Sequence, residues 1–324
     1  MRVTPKSAPL IVGFLFLGIT GCGGSTSPSP PPVDSARAFT TTVVPFSEKR
    51  WLANGRKTTY LYYANQDANT IEIYQTGVLN PQIVGYITDH VVGPWDVFVD
   101  SNGKVYVANS KTITVYPSRT KPASRVIGLT RNYNAYFIRA GADGTIYVSG
   151  CLIARCAVYA YAPGATKPTA VLNFPYNFPN QDVPYGLAFY ENYLVLDHGA
   201  GCAACSFVFD LYTQDTLQSS GYSYDYGISG PSGLTKAGAN TLVASDGNDC
   251  LIWVIPLPFS QSYKNFSTHE CAGYDDHVAY DLASGFLYDS VTGNGNIDIY
   301  KLTGEYLGTI PTGDRYGNGV AVGP

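Results

Sequence analysis

Charge is scarce in this 324-residue chain: Asp, Glu, Lys and Arg make up 14% of it, with 20 basic against 24 acidic side chains. A net charge of −4, with the Lys and Arg scattered, excludes the electrostatic footprint of a nucleic-acid binder or of a protein held to an anionic surface. Histidine occurs four times, and the only glutamates are Glu48, Glu72, Glu191, Glu270 and Glu305. The G-x-S-x-G elbow, the phosphate loop and H-E-x-x-H are all missing, so none of these catalytic or nucleotide-binding patterns is present. Apolar runs are short as well. The one at Leu10–Ile19 holds ten residues, too few to cross about 30 Å of hydrocarbon as a permanent helix.

That run follows Arg2 and Lys6 and ends in Ile19-Thr20-Gly21-Cys22, the layout of an export signal with a small-residue cleavage site. The ending resembles the lipobox of bacterial lipoproteins, which implies that residues 1–21 are removed and that Cys22 becomes a lipidated first residue. Gly23 stands where that class often carries an inner-membrane retention Asp, so the resemblance leans towards the outer membrane. The expected address is the bacterial cell envelope, anchored by lipid on the outer-membrane or periplasmic and extracellular side. Residues 22–35 continue as Gly-Gly-Ser-Thr-Ser-Pro-Ser-Pro-Pro-Pro, which cannot bury enough apolar surface to offset ordering and reads as a semi-rigid tether. Loss of Arg2 and Lys6 leaves 18 basic against 24 acidic groups, a net −6.

Residues 36–324 carry the fold. A phrase of apolar strand, small residue with Asn or Asp, polar turn and second apolar strand returns about every 45 residues. It reads Leu61–Tyr74, Val105–Tyr116, Ile146–Tyr161, Leu194–Asp210, Leu242–Ile255 and Phe286–Lys301. Six such copies, each with room for four short strands, predict an all-β, six-bladed β-propeller of four-stranded antiparallel blades. In the clearest copy, Pro94–Asp100 is strand A, Ser101-Asn102-Gly103 a tight turn, Lys104–Asn109 strand B, Thr112–Tyr116 strand C and Arg125–Leu129 strand D. Further A strands begin at Ala135, Pro184, Pro231 and His277. The first phrase has no A strand before it, because Trp51–Lys57 is polar and broken by glycine. The chain's last segment, Tyr316–Val322, is an A strand with nothing after it. The C-terminal strand is therefore expected to join the N-terminal blade and close the ring, which covers an otherwise exposed edge. The 27 Tyr and 14 Phe fall mainly within strands B and C and read as packing between blades.

The repeated [LI]-Y-V-A-N phrases and the P-x-G-[LV] of Pro184 and Pro231 resemble NHL-type and YVTN-type propellers, including the SMP-30/gluconolactonase-like superfamily, over about residues 60–322. The resemblance implies the architecture and leaves function open. Gluconolactonase-like enzymes are thought to hold a divalent cation with a channel-facing Glu, and no glutamate here opens an A strand.

In a propeller the B-to-C and D-to-A loops share one face, called face 1 below; the A-to-B and C-to-D loops share face 2. Cys151, Cys156, Cys202, Cys205, Cys250 and Cys271 all map to face 1. An even six in an exported domain predicts disulfides, and 151–156, 202–205 and 250–271 join neighbours within a blade. The Cys202-x-x-Cys205 spacing also admits a redox pair or, with Cys151 and Cys156, a structural zinc. His90, His198, His269 and His277 map to the same face. With Asp197, Asp246 and Asp289 they form the candidate metal set of a channel, and Asn65, Asn109, Asp249 and Asp275 are candidates for a binding face.

The reading that follows is a non-enzymatic, monomeric, lipid-anchored binding or scaffold module without a cofactor, whose loop face meets a protein, peptide or glycan. The alternative is a metal-dependent hydrolase or lyase in the central channel, where a divalent metal polarises a carbonyl or activates water.

Overall fold

A computed structural model of the chain describes residues 58–324 apart from 130–132, 153–154, 178–179, 201–207, 229, 261, 271–276, 292, 294 and 317. Cys22, the leader and the tether lie outside the described residues, as do Cys202, Cys205, Cys271 and Asp275. All regular structure among the described residues is strand. Strands β1 (Tyr60–Asn65), β2 (Thr70–Gln75) and β3 (Ile83–Ile87) are B, C and D of blade one. Blade two is β4 (Pro94–Val99), β5 (Val105–Asn109), β6 (Thr112–Tyr116) and β7 (Arg125–Gly128). Blade three is β8 (Asn134–Ala140), β9 (Ile146–Leu152), β10 (Arg155–Tyr161) and β11 (Ala170–Asn177). Blade four is β12 (Asn180–Tyr190), β13 (Tyr193–Ala200), β14 (Val208–Thr213) and β15 (Ser219–Asp225). Blade five is β16 (Pro231–Lys236), β17 (Thr241–Asp246), β18 (Leu251–Pro256) and β19 (Lys264–Ser267). Blade six is β20 (His277–Asp281), β21 (Phe286–Val291), β22 (Asn296–Lys301) and β23 (Tyr306–Pro311). The last strand, β24 (Val320–Gly323), supplies strand A of blade one.

Both faces of each inner sheet are apolar because each blade packs on two neighbours, and the core divides accordingly. One apolar cluster fills each of the six seams, from Tyr62, Ile73 and Val107 between blades one and two to Leu61, Tyr288 and Ile299 between six and one. Tyrosines supply much of the volume: Tyr62, Tyr63, Tyr106, Tyr116, Tyr133, Tyr147, Tyr161, Tyr288 and Tyr300 are fully buried. Burial raises their phenols well above the ordinary value, so they act as neutral packing groups with a hydroxyl handle. Blades three and four are also joined by their main chains. Tyr176 pairs with Gln181 and Asn177 with Asn180, so that eight strands form one sheet.

The ring closes through Tyr60↔Gly323, Leu61↔Val322, Tyr62↔Ala321 and Tyr63↔Val320. Side chains reinforce the seal: Tyr62 donates to the Pro324 carbonyl at 2.9 Å, Tyr63 to the Tyr316 carbonyl at 3.0 Å, and the Gln66 amide to Asp314 Oδ2 at 2.9 Å. The closing strand is shorter than Tyr316–Val322. Asp314 accepts from the Tyr316 amide and from Asn318, and this turn keeps Tyr316 out of the sheet and half exposed. Deleting residues 320–324 leaves the β1 edge unpaired. The expected outcome is a fall of at least 10 °C in melting temperature, or association of the truncated chain, read by calorimetry and light scattering; an unchanged monomer contradicts the closure.

Candidate functional site

Four of the six A strands carry a register shift at the same place, between Pro94 and Asp96, Ala135 and Phe137, Pro184 and Leu187, and Pro231 and Gly233. A bulge re-aims the residue that follows it, and proline suits the position because it has no N–H to lose from the ladder. The residue at or just after the bulge, with its counterpart in the two blades that lack one, occupies the innermost register position of its A strand. Around the six blades that position holds Gly319, Asp96, Phe137, Gly186, Gly233 and His277. Three are glycines and three are bulky, and the bulky ones fill the axis.

Asp96, fully buried, sits at the centre. Its Oδ2 accepts from the Arg139 guanidinium at 2.7 Å and from the Ile138 amide at 2.9 Å. Its Oδ1 accepts from the Val97 amide at 2.9 Å and lies 3.5 Å from His277 Nδ1. Arg139 reaches on to the Leu234 carbonyl of blade five at 3.0 Å. Phe137 and His277, from blades on opposite sides of the ring, stack with centroids 4.5 Å apart. The glycines are needed for this: a Cβ on Gly319 would come within 2.1 Å of Asp96 Oδ1, and one on Gly186 within 2.6 Å of Leu234. Two opposite charges with four further hydrogen bonds satisfy each other here, which is what lets a carboxylate stay buried. Among the described residues, these contacts pack the inner strands of the blades against one another at the axis.

A second row lies behind it on the B strands, at Ser149, Asp197, Ser245 and Ser290. Ser149 donates to the Tyr185 carbonyl of the next blade at 3.3 Å, and Ser290 to that of Asn318 at 2.6 Å. Asp197 takes the serine position in blade four, fully buried, and no hydrogen bond reaches either of its oxygens. Burial raises its pKa well above the usual carboxylate range and the Asp246 carboxylate adds to this, against a lowering by His198.

The candidate metal set does not converge. Each histidine lies near a different aspartate: His198 is hydrogen-bonded to Asp210 at 2.9 Å, whereas His90 is 3.6 Å from Asp89, His269 3.7 Å from Asp298 and His277 3.5 Å from Asp96. His90 and His269 are largely exposed, the latter stacked on Tyr306 at 4.1 Å, whereas His198 leans on Phe174. Asp197, Asp246 and Asp289 are buried on β13, β17 and β21, one strand behind the axis, so they do not line it. Among the described residues no three His, Cys, Asp or Glu side chains are grouped to hold a metal ion.

Two of the expected binding-face residues are also internal. Asn65 accepts from the Ala68 amide and donates to Glu72, closing its own B-to-C turn. Asn109 accepts from the Val92 amide and donates to the His90 carbonyl, Thr112 and Thr114. Their amides are spent on turn geometry, which is what Asn does well at such positions. Asp249 is exposed on face 1. Cys151 and Cys156 are cross-strand neighbours in β9 and β10 and form a disulfide, and Cys250 is disulfide-bonded as well. Asp96, Arg139 and Phe137 were not singled out as a site, although the signal was present: they stand at or beside the small position of P-x-G-[LV] in the blades that lack its glycine.

No family model and no curated protein matches the chain. Solved structures match it in fold, 806 chains in all, so the architecture is widespread. A protein of unknown function from Bacteroides caccae superposes with a TM-score of 0.60 at 11% identity, over 82% of this chain and 99% of that one. A chain of a nidogen/laminin complex gives 0.61 at 13% identity, over 82% and 98%. A functionally unknown protein from Desulfotomaculum acetoxidans gives 0.53 at 14%, over 76% and 77%. These likenesses establish the six-bladed propeller and nothing narrower.

Two outcomes follow from the geometry. Asp96→Asn or Arg139→Met leaves one buried partner uncompensated and costs about 3–5 kcal/mol each in denaturant unfolding, with strongly non-additive effects in the double variant. For Asp197, the folded protein binds a proton that the unfolded chain has released, so stability falls as pH rises from the ordinary carboxylate range towards its raised value. Asp197→Ser removes that loss. Its stability relative to the parent is expected to improve with pH by at most about 1.4 kcal/mol per unit, and parallel pH profiles contradict the assignment.

Proposed function

We propose that this chain is an exported, lipid-anchored binding or scaffold module that presents face 1 to a protein, peptide or glycan in the bacterial cell envelope. The observation that carries the reading is the filled axis. Asp96, Arg139, Phe137 and His277 consume the position where a propeller enzyme would hold substrate, which leaves the loop faces as the accessible chemistry. Face 1 is the better candidate of the two, because the Cys151–Cys156 bridge and the lengthened strands of blades three and four stiffen it. The leader and Cys22 support the anchored address, and the strand phrases support kinship with NHL-type and YVTN-type propellers. The reading invokes no cofactor and a single copy.

Site-specific photocrosslinking in cells tests the face. A photoreactive residue at Asp249 or His90 is expected to give discrete adducts, and one at Asn102 or Glu305, on face 2, none. Adducts confined to face 2 overturn the reading. Cys22→Ser is expected to move the protein from the membrane fraction to the soluble one.

A further inference from the structure

A cavity of about 260 Å³ opens on face 1 of blade two, lined by His90, Val92, Ser110, Lys111, Thr112 and Val126. One wall is the D-to-A loop of residues 88–93, and that loop is built to be rigid. The Asp89 carbonyl accepts from Tyr116, and Asp89 Oδ2 from the Ala123 amide at 2.9 Å. The His90 carbonyl accepts from Thr114 at 3.1 Å and from Asn109 at 3.3 Å. The Val92 and Gly93 amides donate to the side chains of Asn109 and Asn69 at 3.0 and 2.7 Å. These bonds hold His90 at φ 54°, a left-handed conformation that costs of order 1 kcal/mol or more for a non-glycine residue. What the constraint accomplishes is presentation. It turns the His90 imidazole outward and leaves Val92 66% exposed, the most exposed large apolar side chain described, with Val126 opposite it at 42%.

The lining carries donors and no acid. Lys111 donates to the neutral Asn134 amide oxygen at 2.5 Å, and among the described residues no carboxylate pairs with it. Thr112 Oγ1 accepts from Asn109 and so keeps its proton to donate, whereas Ser110 spends its hydroxyl on the Gly93 carbonyl. The nearest acid, Asp89, lies against His90 outside the lining, with one oxygen committed to the Ala123 amide. A cation and a hydroxyl between two valines, in a protein of net negative charge, are complementary to an anionic group on a short branched aliphatic body. The volume lies below the roughly 300–1,000 Å³ of drug-sized sites and admits one small residue.

We propose that this cavity binds the carboxylate of a short aliphatic chain, with Lys111 and Thr112 on the carboxylate and Val92 and Val126 on the hydrocarbon. A peptide ending in a small branched residue has this chemistry, and so does a free branched-chain acid. The inference rests on the binding-module reading and specifies one subsite of it.

The test is a calorimetric or NMR titration of the full chain carrying Cys22→Ser with three probes: N-acetyl-Gly-Gly-Val as the free acid, the same peptide as its amide, and isovalerate. The free acid is expected to bind at least tenfold more tightly than the amide. Lys111→Gln is expected to weaken the acid at least tenfold and Val92→Ser several-fold, with unchanged melting temperatures. Tighter binding of the peptide than of isovalerate identifies a peptide C-terminus as the source, and equal binding a free acid; either order supports the carboxylate. Equal affinity for acid and amide, an unaltered Lys111→Gln, or no binding by any probe overturns it. Retained crosslinks at Asp249 with no acid binding would remove this subsite and leave the wider reading; acid binding without face 1 crosslinks would do the reverse.

Discussion

The contact between Asp96 and Arg139 is the constraint around which the ring is organised. Each blade of a propeller is a wedge that contacts only its neighbours, so the thin inner edges have to be reconciled at the axis. Here one carboxylate meets groups from blades two, three and six while lying against the glycine that precedes β24, and one guanidinium carries the link to blade five. A buried ion pair seldom adds much stability over a well-packed apolar alternative, but it is intolerant of misregistration. Displacing any of these strands by one residue would turn the charged side chain into an apolar seam. The joint therefore selects one arrangement of six similar sheets, a choice that their near-identical apolar patterns leave open.

Glycine and proline act in the same service. The P-x-G phrase couples a bulge to a residue without a side chain; in blade four the missing side chain leaves room for Leu234, and at the corresponding glycine of blade one, Gly319, for Asp96. Behind them, serine hydroxyls tie blade three to blade four and blade six to blade one, and the one acid in that row, Asp197, is disfavoured from ionising by its burial.

Strand order, blade number and the closing β24 were legible because they rest on alternation and turn residues, which act within a few positions of sequence. Even there the closing strand starts at Val320 and not Tyr316, since the Asp314 turn is a tertiary bond between Asp314 and blade one that no local pattern encodes. The polar site was far less legible. Sorting residues onto faces put all four histidines at one end of the disc, but a face is wide and each imidazole found its own aspartate. Asn65 and Asn109 looked like surface ligands because asparagine ends each phrase; they end it as the cap of a turn. Asp96 was one aspartate among many until the register of six strands brought Arg139 beside it.

The sheet common to blades three and four has a mechanical meaning. Elsewhere around the disc the described sheets are separate, and apart from the Gly319 amide on the Trp95 carbonyl at 2.8 Å the described contacts between adjoining wedges are made by side chains. At this joint Tyr176↔Gln181 and Asn177↔Asn180 are main-chain pairs, so the two wedges can pivot only as a single plate. Sliding one wedge past the other at this joint would have to break two main-chain pairs, a resistance that seams packed by side chains alone do not offer.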